Sequence, residues 1–191
     1  PIAAGTTAMA LATKKAIDFD NGMRQVATML PKLSKEGFGS LKQETLDFAK
    51  EIGKVPEEVI PALYNALSAG IPRENVFDFL RTASSGAVAG VSDLTTSVDG
   101  LSSVVNAYGS EVLNVNEASD IMFATLKLGK TDFTQIANTV SNVIPVASAI
   151  GVKFHDIGAA IAVMTAQGTP TAKATTQIRQ ALVELNKEGS I

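Results

Sequence analysis

Cysteine and tryptophan are absent from this 191-residue sequence, and His155 is its single histidine. Without cysteine there can be no disulfide framework, thiolate zinc site or cysteine nucleophile. One imidazole with no second His or Cys does not complete a transition-metal site. A chain of this length can bury a hydrophobic core without disulfides or bound metal ions, so we expect no metal and no cofactor.

An excess of charge of one sign is also lacking, because 16 Lys and Arg residues face 19 Asp and Glu residues. No run of like charge provides a face for a polyanion, which argues against sequence-specific nucleic-acid binding. Aromatic residues make up 5% of the chain, whereas hydrophobic residues make up 46%. We therefore expect a core built mainly from small side chains.

The longest uncharged stretch, Phe133 to Val152, approaches the length of a membrane span. It contains Gln135, Asn138, Asn142 and other polar side chains, which disfavour an integral span. The first residues contain neither an initiator Met nor a basic region followed by an apolar block. We expect the chain to be an internal fragment of a longer polypeptide.

Apolar residues recur at helical spacing along nearly the whole chain, and no window alternates as a strand would. The pattern predicts an all-α fold of short amphipathic helices packed as helical hairpins, with a longer N-terminal helix. Residues 1–33 are expected to form an N-terminal amphipathic helix or arm, and residues 34–191 a helical module. The segment Ser34 to Ser40 is expected to be a loop, and Pro145 should bend or divide the helix around it.

Capping residues and glycines mark the ends of the predicted helices. Ser92-Asp93 and Thr131-Asp132 offer side-chain oxygens to the first backbone N–H groups of a helix, and Thr169-Pro170 is a further start signal. Left-handed glycines are expected at five helix ends. These glycines are Gly53, Gly70, Gly109, Gly129 and Gly168.

A weak internal repeat is visible at an offset of 98 residues. Ile52-Gly53 recurs as Ile150-Gly151, and each pair is followed by an amphipathic pattern that ends at a glycine. A looser third copy begins at Ala89-Gly90-Val91. Two interpretations remain open, a true duplication and the general likeness of any series of helical hairpins; the unequal spacing argues against a regular solenoid.

Three groups of residues imitate catalytic or binding motifs. Gly129-Lys130-Thr131 matches the end of a phosphate-binding loop, but Ala124 replaces the required glycine and a helix precedes the motif instead of a strand. His155-Asp156 lies near a helix start, where adjacent side chains do not face each other. Acidic residues are scattered in first turns and polar positions, where they suit helix dipoles and solvent rather than a two-carboxylate cleft. These are Glu57, Glu58, Glu111, Glu117 and Asp120.

We therefore predict no catalytic, cofactor-binding or metal-binding residue, and no enzyme activity. The run Gly86 to Gly90 is interpreted as a flexible loop between hairpins, and the alternative is a face for close helix contact in a membrane or between subunits.

A series of helix and loop segments, in this order, resembles the core region of the bacteriophage tail tape measure family. The first helix, for example, carries Phe19, Asp20 and Met23 before Val26. The likeness spans essentially the whole chain, and its specificity lies in order and spacing rather than in a catalytic signature. The segments are residues 16–26, 46–50, 62–70, 87–92, 107–109, 120–125, 129–131, 149–152, 164–168 and 175–182.

The resemblance implies a long, mostly helical structural protein that lies in the tail lumen, determines tail length and is ejected before the DNA. A prophage remnant or a headless contractile particle would carry the same segments. During assembly the protein would be in the host cytoplasm. Its implied partners are the tail tube protein, tail assembly chaperones, baseplate or tail-tip proteins, further copies of itself and, transiently, the host membrane.

Within such a protein, residues 34–191 would be a folded tape measure core module. The alternative is a membrane-active helical module that aids penetration of the host envelope. It would use the uncharged face between Phe133 and Val152 together with the Gly86 to Gly90 run.

Overall fold

The computed structural model describes residues 2–188, with side chains at residue 11 and from residue 13 to residue 187. No strand occurs in this range, so the all-α prediction is confirmed. The helices are α1 (Ile2–Ala27), α2 (Lys35–Glu51), α3 (Pro56–Ser68), α4 (Val76–Ala89), α5 (Leu94–Tyr108), α6 (Val115–Leu128), α7 (Phe133–Val140), α8 (Ile144–Ala149), α9 (Phe154–Ala166) and α10 (Thr171–Glu188).

The long N-terminal helix is present, and its last turns pack against α3. Met23 and Val26 are completely buried there, whereas Leu11 and Ile17 are exposed. The division of the chain at residue 33 stays a prediction.

The predicted loop from Ser34 to Ser40 is wrong, because α2 begins at Lys35. The Ser34 side chain caps this helix by accepting a hydrogen bond from the Gly37 N–H at 3.0 Å. The two glycines in the segment suggested a loop. The cap and the burial of Leu41 and Phe48 outweigh their low helix propensity.

Pro145 divides the apolar stretch that begins at Phe133, as predicted. Helix α7 ends at Val140, and α8 starts at Ile144 with the proline in its first turn. A proline there loses no helical hydrogen bond. The apolar stripe of both helices is buried in the core.

Helix α5 is the central element, and it packs against α3, α4, α6, α7 and α8. Small residues on its surface permit these approaches. A Cβ atom added to Gly100 would lie 2.6 Å from Ala137 Cβ of α7 and 2.8 Å from its Cα. The backbones of α5 and α7 can therefore approach this closely only with glycine at position 100.

The structure repeats the same helical hairpin at the offset of 98 residues seen in the sequence. Helix α3 spans Pro56–Ser68, and α9 spans Phe154–Ala166. The turns before them share one hydrogen-bond pattern, in which Lys54 N–H donates to Ala49 O and Val152 N–H donates to Ala147 O, both at 2.9 Å.

The looser third copy has the same turn. Ser92 N–H donates to Ala87 O at 2.8 Å, and α5 follows at Leu94. The central residue of this turn is Val91, with a φ of +51°, whereas the other copies have Gly53 at +67° and Gly151 at +76°. Val91 is the non-glycine residue of positive φ in the described range.

The helix that precedes each outer hairpin is repeated as well. Helix α1 packs on α3 as α6 packs on α9. At the first contact a Cβ on Gly22 would lie 3.0 Å from Ile60 Cδ1, and at the second a Cβ on Gly158 would lie 2.6 Å from Thr125 Oγ1 and 3.0 Å from Ile121 Cγ2. The glycine lies on the preceding helix at the first contact and on the hairpin helix at the second.

Of the glycines expected to be left-handed, Gly53, Gly70, Gly109 and Gly168 have positive φ, which confirms the prediction. Gly129 was predicted wrongly, because its φ is −104°. It is needed for a different reason, since a Cβ there would lie 2.9 Å from Ala162 Cα. The predicted caps Asp93 and Asp132 are confirmed, each accepting a backbone N–H of the first turn.

The strained turn at Val91 leads to a stability prediction. Left-handed backbone costs a residue with a Cβ atom about 1 to 2 kcal/mol, and this side chain is 91% exposed, so it contributes little packing. Val91→Gly should stabilise the protein by roughly 0.5 to 1 kcal/mol after the added chain entropy of glycine. Gly53→Ala, at an equivalent turn with open space around it, should destabilise it by about 1 kcal/mol. Urea unfolding measures both; a loss of stability in Val91→Gly would contradict the strain.

Two glycines inside helices should respond in opposite ways to alanine. Gly39 in α2 has no atom within 4 Å of an added Cβ, so Gly39→Ala should stabilise the protein by up to about 1 kcal/mol through helix propensity. Gly100→Ala gains the same propensity but forces α5 away from α7, and it should destabilise by about 1 to 3 kcal/mol. Thermal unfolding of the pair separates packing from propensity; equal shifts would show that the α5–α7 contact can relax without cost.

Candidate functional site

The segment Gly129-Lys130-Thr131 joins helices and forms no phosphate loop. Helix α6 precedes it, and Gly129 N–H donates to Thr125 O at 2.9 Å. Lys130 N–H donates to Thr165 Oγ1 of α9 at 3.2 Å, and Thr131 Oγ1 lies 2.7 Å from Thr171 Oγ1 of α10. The Lys130 amide and the Thr131 hydroxyl are therefore engaged in holding the end of α6 to α9 and α10.

His155 and Asp156 lie at the start of α9 with most of both side chains exposed. His155 Nδ1 is 3.4 Å from Asp156 Oδ1, so the expectation that these neighbours do not face each other is wrong. In the first turn the two side chains can bend toward each other over open solvent. This exposure is that of a solvated histidine.

Two of the candidate acidic residues serve local structure. Glu58 Oε2, in the first turn of α3, pairs at 2.9 Å with Nζ of Lys54, which precedes the helix. Glu117 forms a capping box with Asn114 at the start of α6. Within the described residues, no group of three or more His, Asp or Glu side chains is placed to hold a metal ion.

A cleft of about 740 Å³ opens between the α5–α6 loop, α6 and the start of α9. Its apolar lining includes Leu113, Ile121 and Phe154, and Asp120 and His155 lie along it. The sequence patterns did not reveal it, because its walls come from three segments that meet only in the folded protein. An aromatic residue followed by a helix-ending glycine, at Tyr108-Gly109, was the available signal.

Tyr108 connects the wall of this cleft to the turn before α9. Its hydroxyl donates a hydrogen bond to Val152 O at 2.8 Å, and its ring lies 6.1 Å from the Phe154 ring, centroid to centroid. Burial raises the pKa of Tyr108 to about 12, and the negative charge of Asp156 adds to the shift. The tyrosine is thus a neutral donor that fixes the turn, and the cleft is an apolar depression with a polar margin.

The run Gly86 to Gly90 forms the last turn and the C-cap of α4, so its interpretation as a loop is wrong. It does make a close helix contact, but not one in a membrane or between subunits, as the alternative supposed. A Cβ on Gly86 would lie 3.2 Å from Phe133 Cζ, and one on Gly90 would lie 2.3 Å from Phe133 Cβ. The contact is made inside the molecule, with the first residue of α7. Phe133 is completely buried as a result.

The uncharged stretch from Phe133 to Val152 supplies part of the core. Ile136, Val140 and Ile144 are at most 1% exposed. No helix in the described part of the chain combines the length and the apolar character that a membrane crossing requires.

Comparisons with known proteins agree on one family. Residues 42–190 match the family described as phage-related minor tail protein. The chain is 34% identical over 184 residues to a probable tape measure protein of Clostridium phage phiCD119, which covers 94% of the chain. It is 22% identical over 152 residues to a tape measure protein of Pneumococcus phage Dp-1, which covers 80% of the chain.

These relatives are much longer than the chain, which spans 19% of the first and 13% of the second. No solved structure matches the chain at a significant level.

The raised pKa of Tyr108 predicts how stability depends on pH. The neutral hydroxyl is favoured in the folded state, so its contribution is complete below pH 10 and is lost as the pH rises from about 10 to about 12. Tyr108→Phe should cost about 1 kcal/mol at pH 8 by leaving Val152 O without its donor, and the difference from the parent should shrink above pH 10. Urea unfolding from pH 8 to pH 12 tests this, with Tyr64→Phe as the matched control. A difference that is constant with pH would contradict it.

Proposed function

Because this chain belongs to the phage-related minor tail protein family and corresponds to a region of phage tape measure proteins, we propose that it is a compact folded module of the protein that determines tail length. It is a structural component of a phage tail. The observation that carries the proposal is the repeated reversal of the chain at glycine turns around one buried core.

Helix geometry separates this module from the measuring part of such a protein. A continuous helix rises about 1.5 Å per residue, so a chain of this length would span about 285 Å if fully extended as one helix. The longest helix here has 26 residues, which corresponds to about 39 Å. As folded, the module therefore contributes little to a ruler, and the measuring length belongs to the remainder of the polypeptide.

In this proposal the module lies in the tail lumen with the rest of the protein and is ejected before the DNA. It is in the host cytoplasm while the tail assembles. Its partners are the tail tube protein, tail assembly chaperones, baseplate or tail-tip proteins and further copies of itself. Exposed apolar side chains such as Val112 and Leu128, 73% and 69% exposed, are available for such contacts.

The membrane-active alternative has no support in the structure. Its principal face, between Phe133 and Val152, is buried against the neighbouring helices, and the Gly86 to Gly90 run packs on Phe133. Both would have to leave the core before they could enter a bilayer.

Deletion of residues 35–188 from the full-length protein tests the module. The expected result is a large fall in the number of assembled tails, because a folded unit with its own contacts is removed. The matched control deletes an equal number of residues from a helical region outside the module; it should leave tail numbers intact and shorten tails in proportion. Electron microscopy counts and measures the tails.

Normal numbers of tails that are shortened by about 230 Å after deletion of the module would contradict the proposal. At about 1.5 Å per residue, that result would mean that these residues measure length as an extended helix.

A further inference from the structure

Helices α3 and α9 hold equivalent places in the repeat but have different numbers of neighbours. Helix α3 is packed by α1, α2, α4 and α5. The counterparts of the first three, namely α6, α8 and α10, pack on α9. Within the described residues, nothing packs along α9 as α5 packs along α3.

The contact of α5 with α3 defines the face concerned. Asn65 Nδ2 of α3 donates to Asp99 Oδ1 of α5 at 2.9 Å, and Asn106 Nδ2 of α5 donates to Ala69 O at 2.7 Å. Ala62 and Ala66 lie on the same stripe of α3 by helical spacing, and both are completely buried.

The corresponding stripe of α9 is apolar but only partly covered, since Ala160 and Met164 pack against the edge of the core. Ala160 and Met164, the counterparts of Ala62 and Ala66, are only half-buried. Val163, the counterpart of Asn65, is 59% exposed. Helix α9 is thus apolar on its outer side as well as on its core side, which is typical of a helix that is covered all round.

Helix α10, which packs against α9, also has exposed apolar residues. Its Ala181 is exposed and its Leu185 is 65% exposed, whereas Ala83 and Ala87, their counterparts in α4, are 0% and 5% exposed. Helix α10 follows a different course from α4, since it packs along α7 and α8. It nevertheless also packs against α9. We call Ala160, Val163, Met164, Ala181 and Leu185 the open face.

We propose that a further helix, supplied by the polypeptide that directly follows α10 in the full-length protein, covers the open face as α5 covers α3. In the first half of the repeat, the covering helix follows α4 through residues 90–93 only. The occupant is therefore a short helix that presents small and aliphatic side chains, like α5. This inference rests on the family assignment, because the chain spans only 19% and 13% of the relatives, which therefore contain additional polypeptide. That part of it follows α10 belongs to the proposal.

A second copy of the chain is a poorer occupant. The element that would fit the face is α5, and in each copy it is already enclosed by five helices. The five residues of the open face are apolar, and the neighbouring Glu184 of α10 pairs with Lys187 of the same helix at 2.9 Å, so a partner held mainly by ion pairs does not fit the face.

Because these 191 residues contain no cysteine, labelling of a cysteine introduced among them can be followed by mass spectrometry of the peptide that carries it. Val163→Cys is introduced into the 191-residue chain and into the full-length protein, together with the control Val88→Cys on α4, outside the α9–α10 hairpin. We expect maleimide to label the cysteine at position 163 at least about tenfold more slowly in the full-length protein than in the 191-residue chain. The control should be labelled at similar rates in both.

Equal labelling of position 163 in the two proteins would overturn the proposal. Protection that is already present in the 191-residue chain and grows with its concentration would overturn the choice of occupant in favour of a second copy. Neither result depends on tail length or tail number, so the proposed function can fail while this inference holds, and the reverse.

Discussion

The architecture depends on the close approach of α5 to its neighbours, above all to α7 at Gly100 and Ala137. A helix can contact five others only if many of its side chains are small. On α5 the buried residues include Ser97, Gly100 and Ser102. The cost is visible in Ser97, whose buried hydroxyl has no hydrogen-bond partner. The low aromatic content of the chain has the same physical origin, because bulky rings would separate these helices.

The repeated hairpin has one turn geometry and several solutions for its side chains. The turn needs a left-handed residue, and two copies use glycine while the third tolerates valine at a cost in strain. The contact between the preceding helix and the hairpin needs one small residue, which Gly22 provides in one copy and Gly158 in the other. Backbone geometry is therefore kept while the side chains that permit it move between helices, which explains why the repeat is faint in sequence.

Periodicity and caps predicted most of the helices, because each signal acts within a few residues. The division at Pro145 and the caps Asp93 and Asp132 belong to this class. The wrong predictions concern glycine, which is common in loops but is also required where two helices pack closely. At Ser34 to Ser40 and at Gly86 to Gly90, glycines that looked like loop residues lie within helices or at their ends, and at Gly90 and Gly129 the missing side chain makes room for another helix. Sequence alone does not show which helix packs against such a glycine.

The cleft beside Tyr108 was not predicted for the same reason, since the residues of its walls are far apart along the chain.

The residues that imitate catalytic motifs do not form a functional site, and the family resemblance lies in the order and spacing of helix and loop segments. Gly129-Lys130-Thr131, His155-Asp156 and Glu117 are each accounted for by a helix end, a solvated first turn or a cap. The role of a structural component of a phage tail does not require a reactive group in a defined position. What such a structure requires is that helices end at defined residues and pack closely. These requirements involve residues along the whole chain. At the open face of α9 and α10, the described residues leave an apolar surface without a packing partner.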